Sequence, residues 1–75
     1  MNKIKKVYIN GQYFYCNRMR LYEYFLANGA KVVKQLPDLY NPNRTVWVFN
    51  STDVVDLLNS YHELHNNNIR FELSN

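Results

Sequence analysis

Hydrophobic and polar residues alternate on both sides of Asn10-Gly11, near the start of the chain, and this pattern predicts two strands. An Asn-Gly pair between strand-like segments favours a two-residue type I′ turn, because both central positions of that turn require positive φ. Such a turn would place Tyr8 opposite Tyr13 in an antiparallel hairpin. The core face of this hairpin would consist of Val7, Ile9, Phe14 and Cys16. The opposite face would carry Lys6, Tyr8, Tyr13 and Tyr15.

Two segments have the hydrophobic spacing of amphipathic helices. The first covers residues 18–28, after the N-cap candidate Asn17 and before Gly29, a typical C-terminal stop. Its inward positions would be Leu21, Tyr22, Phe25 and Leu26. Its outward positions would be Arg20, Glu23, Tyr24 and Ala27. The second helix begins after Asn50 or Ser51, and its buried stripe would consist of Val54, Leu57, Leu58, Tyr61 and Leu64.

Two further segments, between the predicted helices, have strand character. Residues 31–36 alternate, and residues 45–49 are all β-branched or aromatic. Because residues 45–49 are apolar on both faces, we expect them to occupy a central position in the sheet. Residues 37–44 contain two prolines and a turn at Asn41-Pro42, which predicts a structured loop within a second hairpin.

These elements predict a two-layer α+β fold of one domain, residues 1–75, in the order ββαββα with both helices on one face of the sheet. The alternation of Ile69, Phe71 and Leu73 makes residues 66–75 either an extra strand or a flexible tail. In a split β-α-β arrangement the tail would lie beside residues 12–16. The Asn-Gly hairpin competes for that edge. Because local pairing closes the shorter loop, we expect the hairpin to form and to displace the tail to another edge or to a second molecule.

Composition favours a globular protein with exposed aromatic rings. The 75 residues are 47% hydrophobic, 20% charged and 16% aromatic, and so short a chain has few interior positions for its rings. One cysteine cannot form an internal disulfide, and no apolar run has the length of a signal peptide core or a membrane span. We therefore expect a cytoplasmic protein without membrane association.

The net charge of +3 is unevenly distributed along the chain. Residues 1–44 hold eight Lys and Arg against two carboxylates, a net charge of +6, whereas residues 45–75 hold one Arg against four carboxylates, a net charge of −3. Such polarity can orient a molecule on an anionic partner or favour head-to-tail self-contact, and it also fits a solvated surface of uneven charge.

Short segments through the centre of the chain indicate a family resemblance. These segments are residues 21–26, Asn28-Gly29, Pro37-Asp38-Leu39, Asn41-Pro42-Asn43 and Trp47-Val48-Phe49, followed by a leucine-bearing helix. Over residues 12–64 the chain resembles short uncharacterised proteins from phages and prophages of Gram-positive bacteria. The resemblance implies an origin in a mobile element, and it transfers no catalytic residue.

No segment fits a catalytic or metal-binding motif. His62-Glu63-Leu64-His65 approaches the metalloprotease pattern H-E-x-x-H, but the second histidine would have to stand at the position of Asn66. Cys16 is predicted to face the core, where a thiol is buried and unreactive. We therefore expect no enzymatic activity, no metal, no cofactor and no small-molecule substrate.

The tyrosine-rich face of the N-terminal hairpin is the best candidate for a binding surface. The predicted contact residues are Lys6, Tyr8, Tyr13, Tyr15, Arg18, Arg20 and Tyr24. Tyrosine offers a large contact area at low entropic cost, which favours a host bacterial protein or a second copy of the chain as partner. The alternative is a nucleic acid, with bases stacked on the tyrosines and phosphates held by the basic N-terminal half. A third interpretation is that the tail or a second molecule covers this face and completes the core.

The family resemblance and the small size of the chain imply a small non-enzymatic accessory protein of a phage or mobile element. We expect it to bind and modulate a bacterial protein in the host cytoplasm, in the manner of a host-takeover or anti-defence inhibitor.

Overall fold

The computed structural model describes residues 3–74, which form two helices and five strands. The elements follow one another as β1 (Lys5–Asn10), β2 (Tyr13–Cys16), α1 (Met19–Ala27), β3 (Lys34–Pro37), β4 (Thr45–Asn50), α2 (Ser51–Leu64) and β5 (Ile69–Ser74). The α+β class and both predicted helices are confirmed, and the alternating tail forms a strand. Within the described residues, neither helix is long and apolar enough to span a membrane.

The strands form two separate sheets. β2, β4 and β3 form an antiparallel sheet with β4 in the centre, the position that its two apolar faces predict. The predicted second hairpin is present, although its first strand begins at Lys34 rather than at Lys31. β1 and β5 form a two-stranded parallel sheet, with Lys5 opposite Ile69 at one end.

The predicted N-terminal hairpin is wrong, because the chain bends at Gly11 without pairing β1 with β2. Gly11 has a φ of +87°, but Asn10 is not among the residues with positive φ, so the type I′ turn is not formed. The carbonyl groups of Gly11 and Gln12 accept hydrogen bonds from the Ser51 hydroxyl (3.0 Å) and the Ser51 N–H (2.8 Å). These bonds tie the bend to the start of α2. β1 and β2 therefore lie in different sheets, and Tyr8 is not opposite any residue of β2.

The tail, β5, is bonded on one side to β1 and on the other side to α2. β5 pairs with β1 along its whole length. On the other side of β5, the side-chain amide of Asn59 in α2 donates to the Phe71 carbonyl (3.0 Å) and accepts from the Phe71 N–H (2.7 Å). The tail is thus held between a strand and a helix, and β1 pairs with it and not with β2.

Both helices cover the same face of the antiparallel sheet. On this face Trp47 and Phe49 of β4 project towards α1, where Tyr22 stacks on Trp47 with ring centroids 4.0 Å apart. Phe25 meets Phe49 edge-on at 5.0 Å. Leu58 of α2 belongs to the same buried cluster. The opposite face of the sheet is left without a helix.

Two positions of α1 differ from the helical pattern. Leu26, predicted to face inwards, is 42% exposed. Tyr24, predicted to face outwards as a contact residue, is half-buried, and its ring lies 5.3 Å from that of Tyr61 in α2. The buried positions of α1 are Leu21 and Phe25, and α2 packs beside the flank that carries Tyr24.

Candidate binding surface

The antiparallel sheet has one face that neither helix covers, which we call the open face. In an antiparallel ladder, residues directly opposite each other project to the same side of the sheet. Tyr15, Val48 and Lys34 form one such row across the three strands. By the same register, the open face consists of Tyr13, Tyr15, Lys34, Leu36, Val46, Val48 and Asn50.

The open face is mainly apolar and aromatic. Tyr15 is 58% exposed, and Tyr13 and Leu36 are each 37% exposed. Lys34 is the one charged residue among the members of the face. Val48 has no exposed surface although it lies outside the core cluster, and Tyr15 and Lys34 flank it on the neighbouring strands. The face therefore has a small buried centre surrounded by accessible rings and aliphatic groups.

The loop between β3 and β4 presents two further apolar side chains. Leu39 is 92% exposed and Tyr40 is 96% exposed. The loop backbone is nevertheless fixed by local hydrogen bonds: the Asp38 carboxylate accepts from the N–H groups of Tyr40 (2.8 Å) and Asn41 (3.3 Å). The Asp38 N–H donates to the Arg44 carbonyl (3.0 Å) and closes the loop at its base. This turn structure holds Leu39 and Tyr40 in solvent beside the sheet.

The predicted tyrosine face is divided between the two sheets. Tyr13 and Tyr15 lie together on the open face. Tyr8 lies on β1 in the parallel sheet, where it is 54% exposed and stands opposite Glu72. All three tyrosines are exposed, as the alternation predicts. The predicted pairing of Tyr8 with Tyr13 across a hairpin is absent.

Lys6 accompanies Tyr8 rather than the other two tyrosines. Its ammonium group lies 3.9 Å from the Glu72 carboxylate, and the Arg70 guanidinium approaches the same oxygen to 3.9 Å. Both cations are more than half exposed and both distances are long, so these ion pairs contribute little to stability. The Glu72 carboxylate nevertheless lies beside the Lys6 and Arg70 cations on this face of the parallel sheet.

The predicted arginines also lie away from the open face. Arg18 directly precedes α1, and together with Arg44 it borders a shallow depression beside Trp47, a residue of the helix-covered face. Arg20 is exposed on α1. Of the predicted contact residues, only Tyr13 and Tyr15 are therefore members of the open face.

A cleft of about 320 Å³ lies between β2 and β5, and it contains Cys16 and His62. Cys16 is 2% exposed, and burial raises the pKa of its thiol. The thiol donates a weak hydrogen bond to the Arg18 carbonyl (3.4 Å). A buried, protonated thiol is a poor nucleophile.

The imidazole of His62 lies in the same cleft. Burial lowers the pKa of His62, and its electrostatic interactions with Arg18 and His65 lower it further. Its Nδ1 lies 2.9 Å from the side-chain nitrogen of Asn67, which donates to the ring. Within residues 3–74, no group of three or more His, Cys, Asp or Glu side chains is arranged to hold a metal ion.

Sequence reasoning missed Leu36, Val46, Leu39 and Tyr40 as surface residues of interest. The exposure of Leu39 and Tyr40 could have been predicted from the sequence, because large apolar residues inside a loop rich in Pro and Asn have no strand or helix to bury them. Leu36 and Val46 could not have been predicted in this way, because the face of Leu36 depends on the register of β3 on β4, and the face of Val46 depends on which side of β4 the helices cover.

No family model, no curated protein and no solved structure matches this chain.

Proposed function

We propose that this chain is a non-enzymatic protein-binding domain and that the open face, together with Leu39 and Tyr40, is its contact surface. The observation that carries the proposal is the uncovered apolar face of the antiparallel sheet, on which Tyr13, Tyr15 and Leu36 are accessible. Contiguous apolar surface of this kind marks interaction sites in soluble proteins. Tyrosines fixed on a sheet lose little conformational entropy on binding, which makes them suitable anchors.

The distribution of charge favours a protein over a nucleic acid as partner. Platforms that bind single strands combine stacking rings with several Lys or Arg side chains that follow the phosphates. The open face carries only Lys34, whereas Lys6 lies beside Glu72 in the other sheet and Arg18 lies near Trp47 on the helix-covered side. We propose a partner surface that is apolar and carries a carboxylate opposite Lys34.

The resemblance to phage and prophage proteins supports a bacterial protein as this partner. A small domain of this kind can inhibit or redirect its partner by covering a surface that the partner needs, without any chemical step. The burial of the Cys16 thiol, which raises its pKa, is consistent with a non-enzymatic role. Modulation of a host protein, as in host takeover or anti-defence inhibition, is the role we propose.

Photocrosslinking in Gram-positive cells provides the first test. A benzophenone amino acid at position 15 or position 40 should crosslink to one bacterial protein that mass spectrometry identifies. The same amino acid at position 8 is the control, because Tyr8 has a similar exposure but lies in the other sheet. Crosslinks to a bacterial protein from position 8 alone, or crosslinks to nucleic acid from position 15, would contradict the proposal, whereas a crosslink from position 8 to a second copy of the chain would not.

Affinity measurements with the crosslinked protein provide the second test. Interface anchors typically contribute about 1–2 kcal/mol or more each, so Tyr15→Ala should weaken binding by about 5- to 30-fold. Tyr8→Ala should leave the dissociation constant unchanged. Circular dichroism should show that both variants stay folded, since both rings are more than half exposed. Equal losses in the two variants would show that the open face is not the contact surface.

A further inference from the structure

We propose that the free edge of β1 is a dimerisation edge, at which a second copy of this chain adds its own β1 in antiparallel orientation. This surface is distinct from the open face, and the proposal does not depend on the function proposed above. It rests on a difference between the two outer edges of the parallel sheet.

The outer edge of β5 is closed by a side chain. Asn59 bonds both backbone groups of Phe71, at 2.7 Å and 3.0 Å, in the way that a neighbouring strand would. Natural sheets commonly block exposed edges with such devices, because unpaired N–H and C=O groups attract other strands. β5 is therefore protected against the addition of a strand.

On the outer edge of β1, no side chain within residues 3–74 bonds the outward backbone groups as Asn59 bonds those of Phe71. The Lys5 N–H donates to the Asn68 carbonyl (2.9 Å), and this bond sets the phase of the parallel ladder. Every second residue of β1 then bonds to β5, and the residues between them direct their N–H and C=O groups away from it. These outward residues are Lys6, Tyr8 and Asn10. Within residues 3–74, no strand pairs with this edge.

A two-stranded parallel sheet with one open edge is an unusual end state. Parallel strands are normally part of larger sheets, and a sheet of two strands is only marginally stable. A strand added to β1 would bury the open backbone groups and convert the pair into a wider mixed sheet. Addition of a second β1 around a two-fold axis does this for both copies at once, and it leaves no edge of β1 free.

The backbone of β1 is self-complementary when the two-fold axis passes beside Tyr8. Tyr8 then faces Tyr8 of the second copy in a hydrogen-bonded pair, and Lys6 faces Asn10 of the second copy in another. All outward N–H and C=O groups of β1 are paired in this register.

The side chains of β1 also accept this register. Val7 faces Ile9 of the second copy, which places two apolar side chains together. Lys5 faces Gly11 of the second copy, where no side chain opposes it. No two like charges stand directly opposite each other, although the strand carries two lysines. The occupant that fits the edge is therefore a second copy of the chain.

N-methylation of the Tyr8 backbone tests this proposal directly, because it removes an outward N–H and leaves the ladder to β5 intact. The variant can be made by ligating a synthetic thioester of residues 1–15 to residues 16–75 at the natural Cys16. The unmodified protein should dimerise in sedimentation equilibrium. The methylated protein should dimerise about 30-fold more weakly, which corresponds to two lost hydrogen bonds of about 1 kcal/mol each. N-methylation of Val7, whose N–H points to β5, is the matched control and should instead lower the melting temperature.

A second measurement on the unmodified protein fixes the register. In a mixture of labelled and unlabelled chains, isotope-filtered NMR should show an intermolecular contact between the α-protons of Val7 and Ile9, which form a close non-hydrogen-bonded pair in this arrangement. A protein that stays monomeric at the highest soluble concentration overturns the proposal. A dimer that survives N-methylation of Tyr8 and is lost in Tyr15→Ala also overturns it, and assigns self-association to the open face.

Discussion

Replacing Asn59 by alanine should destabilise the fold measurably, although the side chain is polar and only half-buried. Asn59 lies on α2 and forms two hydrogen bonds with the backbone of a single residue, Phe71 of β5. These bonds connect the last strand to the helix that precedes it. Alanine keeps the helix but leaves the N–H and the carbonyl of Phe71 without their partner.

The expected loss follows from these two bonds. At about 1 kcal/mol each, they contribute about 2 kcal/mol. Alanine is the better helix former by roughly 0.5 kcal/mol, which leaves a net loss of about 1.5 kcal/mol. In a domain of this size each kcal/mol shifts the melting temperature by about 4–8 °C, so we expect Asn59→Ala to melt about 6–12 °C lower.

Thermal and urea unfolding measure this loss, and Ser60→Ala is the matched control. Ser60 is the next residue of α2 and is exposed, so its replacement changes helix propensity without removing a bond to β5. We expect Ser60→Ala to melt at or slightly above the temperature of the unmodified protein. Hydrogen exchange adds a local measurement, because the Phe71 amide should lose protection in Asn59→Ala and keep it in Ser60→Ala.

Two results would refute this reasoning. If both variants melt at the same temperature, the two hydrogen bonds contribute nothing beyond what water supplies. If Asn59→Ala is destabilised while the Phe71 amide keeps its protection, the loss arises elsewhere in α2. Either result would also remove the evidence that the outer edge of β5 is closed by this side chain.

Two other positions give sharp expectations. Gly11→Val should lower the free energy of unfolding in urea by about 1–2 kcal/mol because a branched residue resists positive φ, and Gly11→Asn should lower it by less. No atom lies within 4 Å of an added Cβ at this bend, so equal stability of both variants and the unmodified protein would show that the backbone there is free to change. The pKa of His62 lies below its ordinary value of 6.5 because burial and Arg18 disfavour the cation. Just below pH 6.5 the unfolded chain therefore binds more protons at His62 than the folded chain does. The free energy of unfolding should therefore fall as the pH drops through 6.5 and level off below the lowered pKa of His62. Melting curves of His62→Gln should lack this decrease. A decrease that persists in His62→Gln would show that another group causes it.

Local patterns predict most of this fold because most of its elements bury their own hydrophobic residues. The stripe around Phe25 predicts α1, and the stripe around Leu58 predicts α2. The doubly apolar segment around Trp47 predicts the central strand. In each case the period of the hydrophobic residues matches the element, and burial in the core supplies the stability.

The candidate surface was predictable only in part, for a related reason. Alternation along β2 is a local property, so it places Tyr13 and Tyr15 correctly on the outward side. Leu36 joins them only through the pairing of β3 with β4, and a shift of one residue in that register would send Leu36 to the other face. A surface that extends across strands depends on register, which alternation within one strand does not determine.

The failure at Asn10-Gly11 shows how one backbone angle separates two surfaces. The dipeptide correctly marks a glycine with positive φ, but a type I′ turn also requires positive φ at Asn10, and Asn10 instead pairs with Ser74 as the last residue of β1. With a single positive φ the chain turns a corner between sheets, and Ser51 fixes that corner from α2. In a hairpin, β2 would pair with the free edge of β1, and Tyr8 would lie on the same face as Tyr13 and Tyr15. The corner leaves the edge of β1 free for a second strand and the open face free for a different partner, so the two proposed contacts have one structural cause.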